Sequence, residues 1–396
     1  MVGLSLAYQI YERGISKKIT IIDKENQLGK HSSGRNSGVI HAGLYYKPNT
    51  LKAKVCVNGG RRLKEWIKDR NLSINECGKV IVPQKDYLDK QLDVLFNRAQ
   101  KNGAEVKIID SNELNEIVPN AITSSGRAIW SPNTAVVNPK EVLNKLQKEL
   151  EEKGINFFIS EKSWEINTKE KYITLTNGTK ICYGFFINAS GLNSDKIARK
   201  FDIGLEYKII PFKGLYWEIK KNCPINFNTN LYPVPDLNVP FLGVHFTPSA
   251  KCFKKLPTKM YIGPTAILAL GRENYKNFDN IEFSNTISNI FELSKLFLEN
   301  RNGFRKYVSE QSNLFLPQIF IKSARELIPD IQLSQIKKSE KVGIRAQLYN
   351  LKERKIVDDF LCIKKDSSLH ILNAISPAFT ASFALADEII DQFFYS

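Results

Sequence analysis

The chain has no apolar run approaching the ~18 residues that a membrane-spanning helix requires. Its opening, MVGLSLAYQIYERG, has neither a basic leader nor a small-residue cleavage site, so no secretory signal is expected. Cysteine is scattered: Cys56, Cys77, Cys182, Cys223, Cys252 and Cys362 form no CxxC and no Cys-His pair at metal-ligand spacing. That argues against a zinc module or a disulfide frame and for reduced thiols in a cytoplasmic protein. With only four histidines, no metal site is expected either. Internal repeats, low-complexity tracts and linkers are lacking too.

What is present is ordinary for a globular protein. Of 396 residues, 42% are hydrophobic and 11% aromatic, enough for two domains with cores of their own. The net charge of +16 comes from lysines dispersed along the chain, with no nucleic-acid module among them. Nucleic-acid binding is therefore not expected. Compositional bias accounts for the charge; attraction to an anionic membrane surface or to an acidic substrate are the alternatives.

Apolar spacing predicts a helix over 2–13 with Gly14 as its cap, then a buried parallel strand over 19–22. A glycine- and serine-rich loop follows at 29–43, and a helix at 51–70. Short strands and a charged helix (87–102) fill 77–135, and a helix starts at Pro139. Strands follow at 155–160 and 185–188, with a hairpin turning at Asn177-Gly178 between them. Residues 205–270 are rich in β-runs and 283–335 are mostly helical. A strand at 370–373 and a helix at 381–394 complete the chain. This order predicts an α/β dinucleotide-binding domain (1–76, 136–204, 336–396) interrupted by an α+β, β-rich substrate domain (77–135, 205–335).

Two constellations carry chemistry. Gly3 opens a helix that leads to a strand ending in Asp23-Lys24. In a Rossmann-like unit the last phosphate-loop glycine and a ribose-binding acid stand at about that spacing. The strand and two glycines that normally precede Gly3 are missing, so the first strand of the sheet is expected to be absent, with weaker cofactor binding as the consequence. A solvated surface helix and aspartate would give the same spacing. The second constellation is Ser33-Gly34-Arg35-Asn36-Ser37-Gly38-Val39-Ile40-His41-Ala42-Gly43, whose small residues suit a backbone lying against a flat ring and a pyrophosphate.

The stretch GRNSGVIHAGLYYKPNTLKAKVC resembles the flavin loop of the L-2-hydroxyglutarate oxidase/dehydrogenase family, within the D-amino-acid-oxidase-like flavoproteins. The resemblance continues in order along the chain. It takes in Asn188-Ala189-Ser190-Gly191-Leu192 and Pro211-Phe212-Lys213-Gly214, where Lys213 stands in place of an arginine. It continues through Tyr232–Asp236, Pro240–His245, Ile262-Gly263-Pro264, Val342–Gln347 and Asn373–Thr380. It implies FAD held by Gly3, Asp23, Lys24, Ser33, Gly34, Asn36, Ser37, Gly38, Val39, Ala189, Ser190, Gly191, Pro377 and Ala378. It also implies oxidation of an L-2-hydroxy acid, with electrons passed to oxygen, a membrane quinone or another acceptor.

That chemistry needs a carboxylate clamp and a proton acceptor. Arg345, between Ile344 and Ala346, suits the bidentate grip, though it could instead be a surface ion-pair partner. His41 or His245 suits proton acceptance, though either could be a core histidine. Lys213 is a candidate for a second carboxylate. Three readings compete: a flavoenzyme acting on an amino acid, N-methylglycine or glycerol phosphate; a remnant that binds no flavin; and a nicotinamide-dependent dehydrogenase, against which the two small-residue loops argue. A cytoplasmic protein is expected, with attachment to the inner membrane face as the variant.

Overall fold

The structure is a computed structural model, and it describes all residues except 236–241, 254, 301–303, 315 and 396. Asp236, Pro240 and Phe241 of the quoted motifs therefore lie outside the described residues.

The two ends of the chain build one layer together. Helix Val2–Glu12 buries Leu4, Leu6, Ala7 and Ile10, at the spacing the apolar pattern predicts, and Gly14 follows with φ of 69°. Its stripe packs with helix Leu51–Lys68 and the last helix, Ser382–Phe394, in clusters that include Val55, Leu63, Trp66, Leu385 and Ile389. Thr50 caps the middle helix by accepting from Ala53 N, and the amides of Leu51 and Lys52 donate to the Asp359 carboxylate.

Beneath these helices the described strands form two short pieces. Thr20–Ile22 pairs parallel with Asn156–Phe158. Phe186–Asn188 pairs parallel with Ser368–Asn373, whose other edge meets Leu361–Lys365. The hairpin at Asn177-Gly178 forms as expected, with Tyr172–Thr174 against Lys180–Cys182.

The β-rich part is a large mixed sheet. Its strands run Lys355–Ile356, Ile336–Asn350, Tyr207–Ile219, Met260–Gly263, His245–Pro248, Asn230–Pro233, Lys79–Val82, Arg127–Ser131 and Lys107–Asp110. The 336–350 segment, expected in the nucleotide-binding part, pairs with Tyr207–Ile219 along nearly its whole length. It is thus continuous with the large sheet.

Strand alternation gives this sheet two unlike faces. One carries Val80, Val82, Leu231, Phe246 and Ile262, packed on Leu114, Phe320 and Ile328. The other carries Lys79, Ile81, Tyr232 and His245, and Ile81 and Tyr232 pack against Ala42 and Leu44 of the glycine-rich segment. Far along that second face, helix Phe283–Glu299 sets Leu293 and Leu296 over Ile210, Phe212 and Tyr349.

One glycine controls the helical layer. A Cβ built on Gly59 would lie 2.6 Å from Ala381 Cα and 3.1 Å from its carbonyl carbon, so helix 51–68 crosses the final segment at backbone contact. Gly59→Val is expected to destabilise the protein by about 1–3 kcal/mol despite the better helix propensity of valine. A thermal melt checks this; an unchanged midpoint would show that the crossing opens freely.

Candidate active site

Loops from four distant parts of the chain converge at the junction of helical layer and large sheet. The 29–43 segment is shaped by its own side chains. Asn36 donates to the carbonyl oxygens of Ser33 (2.7 Å) and Ser32 (3.2 Å) and accepts from Gly38 N (2.8 Å), and Ser37 Oγ accepts from Val39 N. Gly38 has φ of 82°, and a side chain there would strike the carbonyl of Val137. The segment is tied to the large sheet: Ser32 Oγ donates to Ile344 O at 2.9 Å, and Lys341 Nζ donates to Ser37 O at 3.2 Å.

The remaining loops close on it. The amino group of Met1 donates to Ser33 Oγ at 3.1 Å. A Cβ on Gly3 would sit 3.3 Å from Ala189 Cβ, so helix 2–12 and the 188–191 turn approach as closely as small residues allow. Ser190 donates from both N and Oγ to Asn188 Oδ1. His41 N donates to Thr380 Oγ1 at 3.1 Å, and His41 Nε2 lies 3.5 Å from Ser376 Oγ. Ala378, just after Pro377, is buried beside this contact. Asp23 stands at the end of its strand, accepting from Glu25 N at 2.9 Å, and burial pushes its carboxyl above the ordinary range.

These are the positions that the resemblance assigns to FAD. Gly3, Ser33, Gly34, Gly38, Val39, Ala189, Ser190, Gly191, Pro377 and Ala378 offer backbone and small side chains. Asp23 offers an acceptor for ribose hydroxyls. Two expected contacts are otherwise engaged. Lys24 is bound by Glu25 at 2.7 Å and by Glu273, and Glu25 is held down to about 2 chiefly by the hydrogen bond from Lys24. The amide of Asn36 is spent on the loop itself.

On the sheet side, His245 is 3% exposed and stacks on Tyr232, with ring centroids 3.8 Å apart. Its Nδ1 donates to Gly243 O at 2.8 Å, which leaves Nε2 as the acceptor nitrogen. Burial holds this imidazole down to about 3, with Lys79 and Arg345 pushing the same way. His41 is lowered well below its ordinary value by burial first, then by Lys79, His245 and Arg345. His41, His245 and Arg345, the three groups expected from sequence, are thus in electrostatic reach of one another, and burial holds both imidazoles below their ordinary values.

Lys213 is not part of that group. It lies opposite Ile344 in the strand pair while its neighbour Phe212 lies opposite Arg345, so Lys213 and Arg345 project from opposite faces. Its Nζ donates to Asn274 Oδ1 at 2.5 Å. The residue sequence reasoning missed is Lys79, fully buried on the His245 face, its Nζ 4.3 Å from the Tyr232 ring centroid and 5.1 Å from that of Tyr45. A lysine leading straight into Val80-Ile81-Val82 was the available signal, since an interior strand rarely spends a position on an unpaired cation.

Residues 1–392 match the family described as FAD dependent oxidoreductase. The chain is similar to the L-2-hydroxyglutarate dehydrogenase of Indibacter alkaliphilus, at 34% identity over 99% of this chain and 96% of that protein. The human mitochondrial L-2-hydroxyglutarate dehydrogenase is 32% identical over 99% of this chain and 86% of its own. Among solved structures, the fold resembles FAD-bound L-α-glycerophosphate oxidase from Mycoplasma pneumoniae, with a TM-score of 0.73 at 17% identity, covering 100% of this chain and 92% of that one. It also resembles glycine oxidase from Geobacillus kaustophilus, with a TM-score of 0.68 at 13% identity over 98% and 91%. The convergent loops, the neutral histidines and these likenesses lead to one assignment: the chain belongs to the FAD-dependent oxidoreductases, in the branch of the L-2-hydroxyglutarate dehydrogenases, and is an enzyme acting on a CH–OH group.

Proposed function

We propose that the protein oxidises L-2-hydroxyglutarate to 2-oxoglutarate. The observation that carries this is the neutral His245, with its tautomer fixed by Gly243 O, in the electrostatic reach of Arg345. Arg345 takes the C1 carboxylate in a two-point grip, which orients C2 and its hydroxyl. His245 Nε2 accepts the hydroxyl proton. His41, tied to Thr380 and Ser376 of the 376–380 loop, would lie on the cofactor side and shape the approach. Gly3, Asp23, Ser33, Gly34, Gly38, Ala189, Ser190 and Pro377 would hold the FAD. FAD, when bound, would supply the two-electron sink for the hydride that leaves C2. The hydrophobic packing of Ala42, Leu44, Ile81 and Tyr232 keeps water from the reacting bond.

The test is anaerobic mixing of the holoprotein with single substrates. Bleaching of the flavin by L-2-hydroxyglutarate, and not by its D-isomer, glycerol phosphate or N-methylglycine, is the expected result. Bleaching by glycerol phosphate or an amine alone would replace the reading.

We also read the protein as working at an anionic membrane surface, which makes a membrane quinone its natural acceptor. Among the described residues no helix is long and apolar enough to cross a membrane. Helix Phe283–Glu299, however, carries apolar side chains on its outer face as well as on its inner one. Thr286, Asn289 and Glu292 face inward, while Phe283 (74%), Ile287 (67%), Phe291 (59%) and Leu298 (70%) are exposed. An exposed stripe of this kind suits burial in lipid. Lys295 lies 4.2 Å over the Phe291 ring, and the net charge of +16 favours anionic headgroups. Replacing Phe283, Ile287 and Phe291 together with serine is expected to weaken binding to phosphatidylglycerol vesicles roughly tenfold or more. Co-sedimentation measures it, and undiminished binding would move the contact elsewhere.

A further inference from the structure

Lys79 is a costly residue where it stands. It is fully buried in a strand whose next three residues, Val80, Ile81 and Val82, are fully buried too. Among the described residues its Nζ has no hydrogen-bond partner. An ammonium in that position loses its hydration and gains only the faces of two rings, Tyr232 at 4.3 Å and Tyr45 at 5.1 Å. Methionine would fill the same volume without the penalty. A buried cation without a partner marks a candidate ligand-binding group.

The surroundings say what that ligand is. Lys79 and His245 meet at the Tyr232 ring, the ammonium 4.3 Å from its centroid and the imidazole stacked on it at 3.8 Å, and Arg345 acts on both His41 and His245 as Lys79 does. A monocarboxylic hydroxy acid has one anionic group, which Arg345 already satisfies. A dicarboxylic acid has two, with the reacting carbon between them. We propose that Lys79 binds the distal carboxylate of the substrate and makes the site selective for dicarboxylic 2-hydroxy acids. The assignment rests on the reading of the site as a 2-hydroxy-acid oxidase.

The electrostatics support it. Burial lowers the Lys79 ammonium to about 7, with Cys56 and Cys77 pulling weakly the other way. The groups facing it are those two thiols, the histidines 41 and 245, and the phenols of Tyr45 and Tyr232. Among the described residues no carboxylate is one of these groups. Below about pH 7 the ammonium is charged and ready for the distal carboxylate. Above it, the group must take up a proton on binding, so the KM for a dicarboxylate should rise with pH.

The experiment compares holoprotein and Lys79→Met. L-2-hydroxyglutarate is set against L-2-hydroxypentanoate, which has the same chain length and no distal carboxylate. Glutarate serves as a non-reacting probe, followed by the flavin spectrum and by calorimetry in two buffers of different ionisation enthalpy. The variant is expected to lose the preference for the dicarboxylate by roughly 30- to 1000-fold, in KM rather than kcat, with glutarate binding weakened in parallel. Glutarate binding at alkaline pH should take up a proton in the native protein and none in the variant. The melting temperature should rise, because an unpaired buried charge has been removed. Equal losses on both acids, an unchanged preference, or a loss of FAD instead would overturn the proposal. If the native protein is bleached by neither acid, the hydroxy-acid reading itself fails. If it oxidises the dicarboxylate and keeps its preference after Lys79→Met, only the role of Lys79 fails.

Discussion

His245→Ala is expected to lower kcat by roughly 10²–10⁴-fold while leaving the flavin spectrum in place, as removal of a positioned proton acceptor should. The reasoning starts from the tautomer. With Nδ1 donating to Gly243 O, the ring presents Nε2 as a lone pair, and stacking on Tyr232 fixes its plane. Because burial holds the imidazole near 3, kcat should show no step in the ~6.5 region where an ordinary histidine would gain its proton, the pH dependence from Lys79 falling on KM instead. The same shift has a sign for folding. The folded value lies below the unfolded one, so the neutral buried ring contributes stability above about pH 6.5 that is lost as the pH falls towards 3. Rapid-mixing reduction of the flavin measures the rate. A variant that retains kcat within tenfold would pass the role of acceptor to His41.

Arg345→Leu should act on binding instead. Loss of a desolvated, two-point contact to a carboxylate costs roughly 2–5 kcal/mol, mostly through the anion left without its partner. That corresponds to a rise in KM of one and a half to more than three decades, with FAD affinity unchanged. Arg345 sits opposite Phe212 in the large sheet, whereas the loops expected to carry FAD belong to other segments. Normal KM with loss of FAD would place Arg345 in the cofactor site.

Much of this was legible in the sequence, and the limits are physical. The helix 2–12 with its Gly14 cap, the acidic strand end at Asp23 and the 29–43 loop are local patterns, set by periodicity and by glycine. They fold as read. His41, His245 and Arg345 could be gathered on paper because each lay in a motif with neighbours that suggested its role. Lys213 misled because a substitution for arginine at a motif position says nothing about strand phase. One residue of offset turns it to the face opposite Arg345, towards Asn274. Lys79 was passed over for the converse reason. Its importance comes from partners remote in sequence, Tyr45 and Tyr232, and, among the described residues, from an ammonium left without a hydrogen-bond partner. The crossing at Gly59 and Ala381 was equally hidden, since a glycine inside a helix reads as a weakness until the second helix is in place.

The pairing of Lys79 with Asn230, parallel and in the middle of the large sheet, bears on how the protein is made. The strand at 79–82 can first zip onto Arg127–Ser131, but its other edge waits for a partner about 150 residues downstream. At translation rates of about 5–20 residues per second, that edge stays open on the ribosome for roughly ten seconds or more. During that interval an apolar Val-Ile-Val edge would invite pairing with other chains. The lysine at its head is then solvated and charged, and it discourages such pairing. The side chain proposed to select the substrate in the finished enzyme would thus serve as a gatekeeper against aggregation in the growing one.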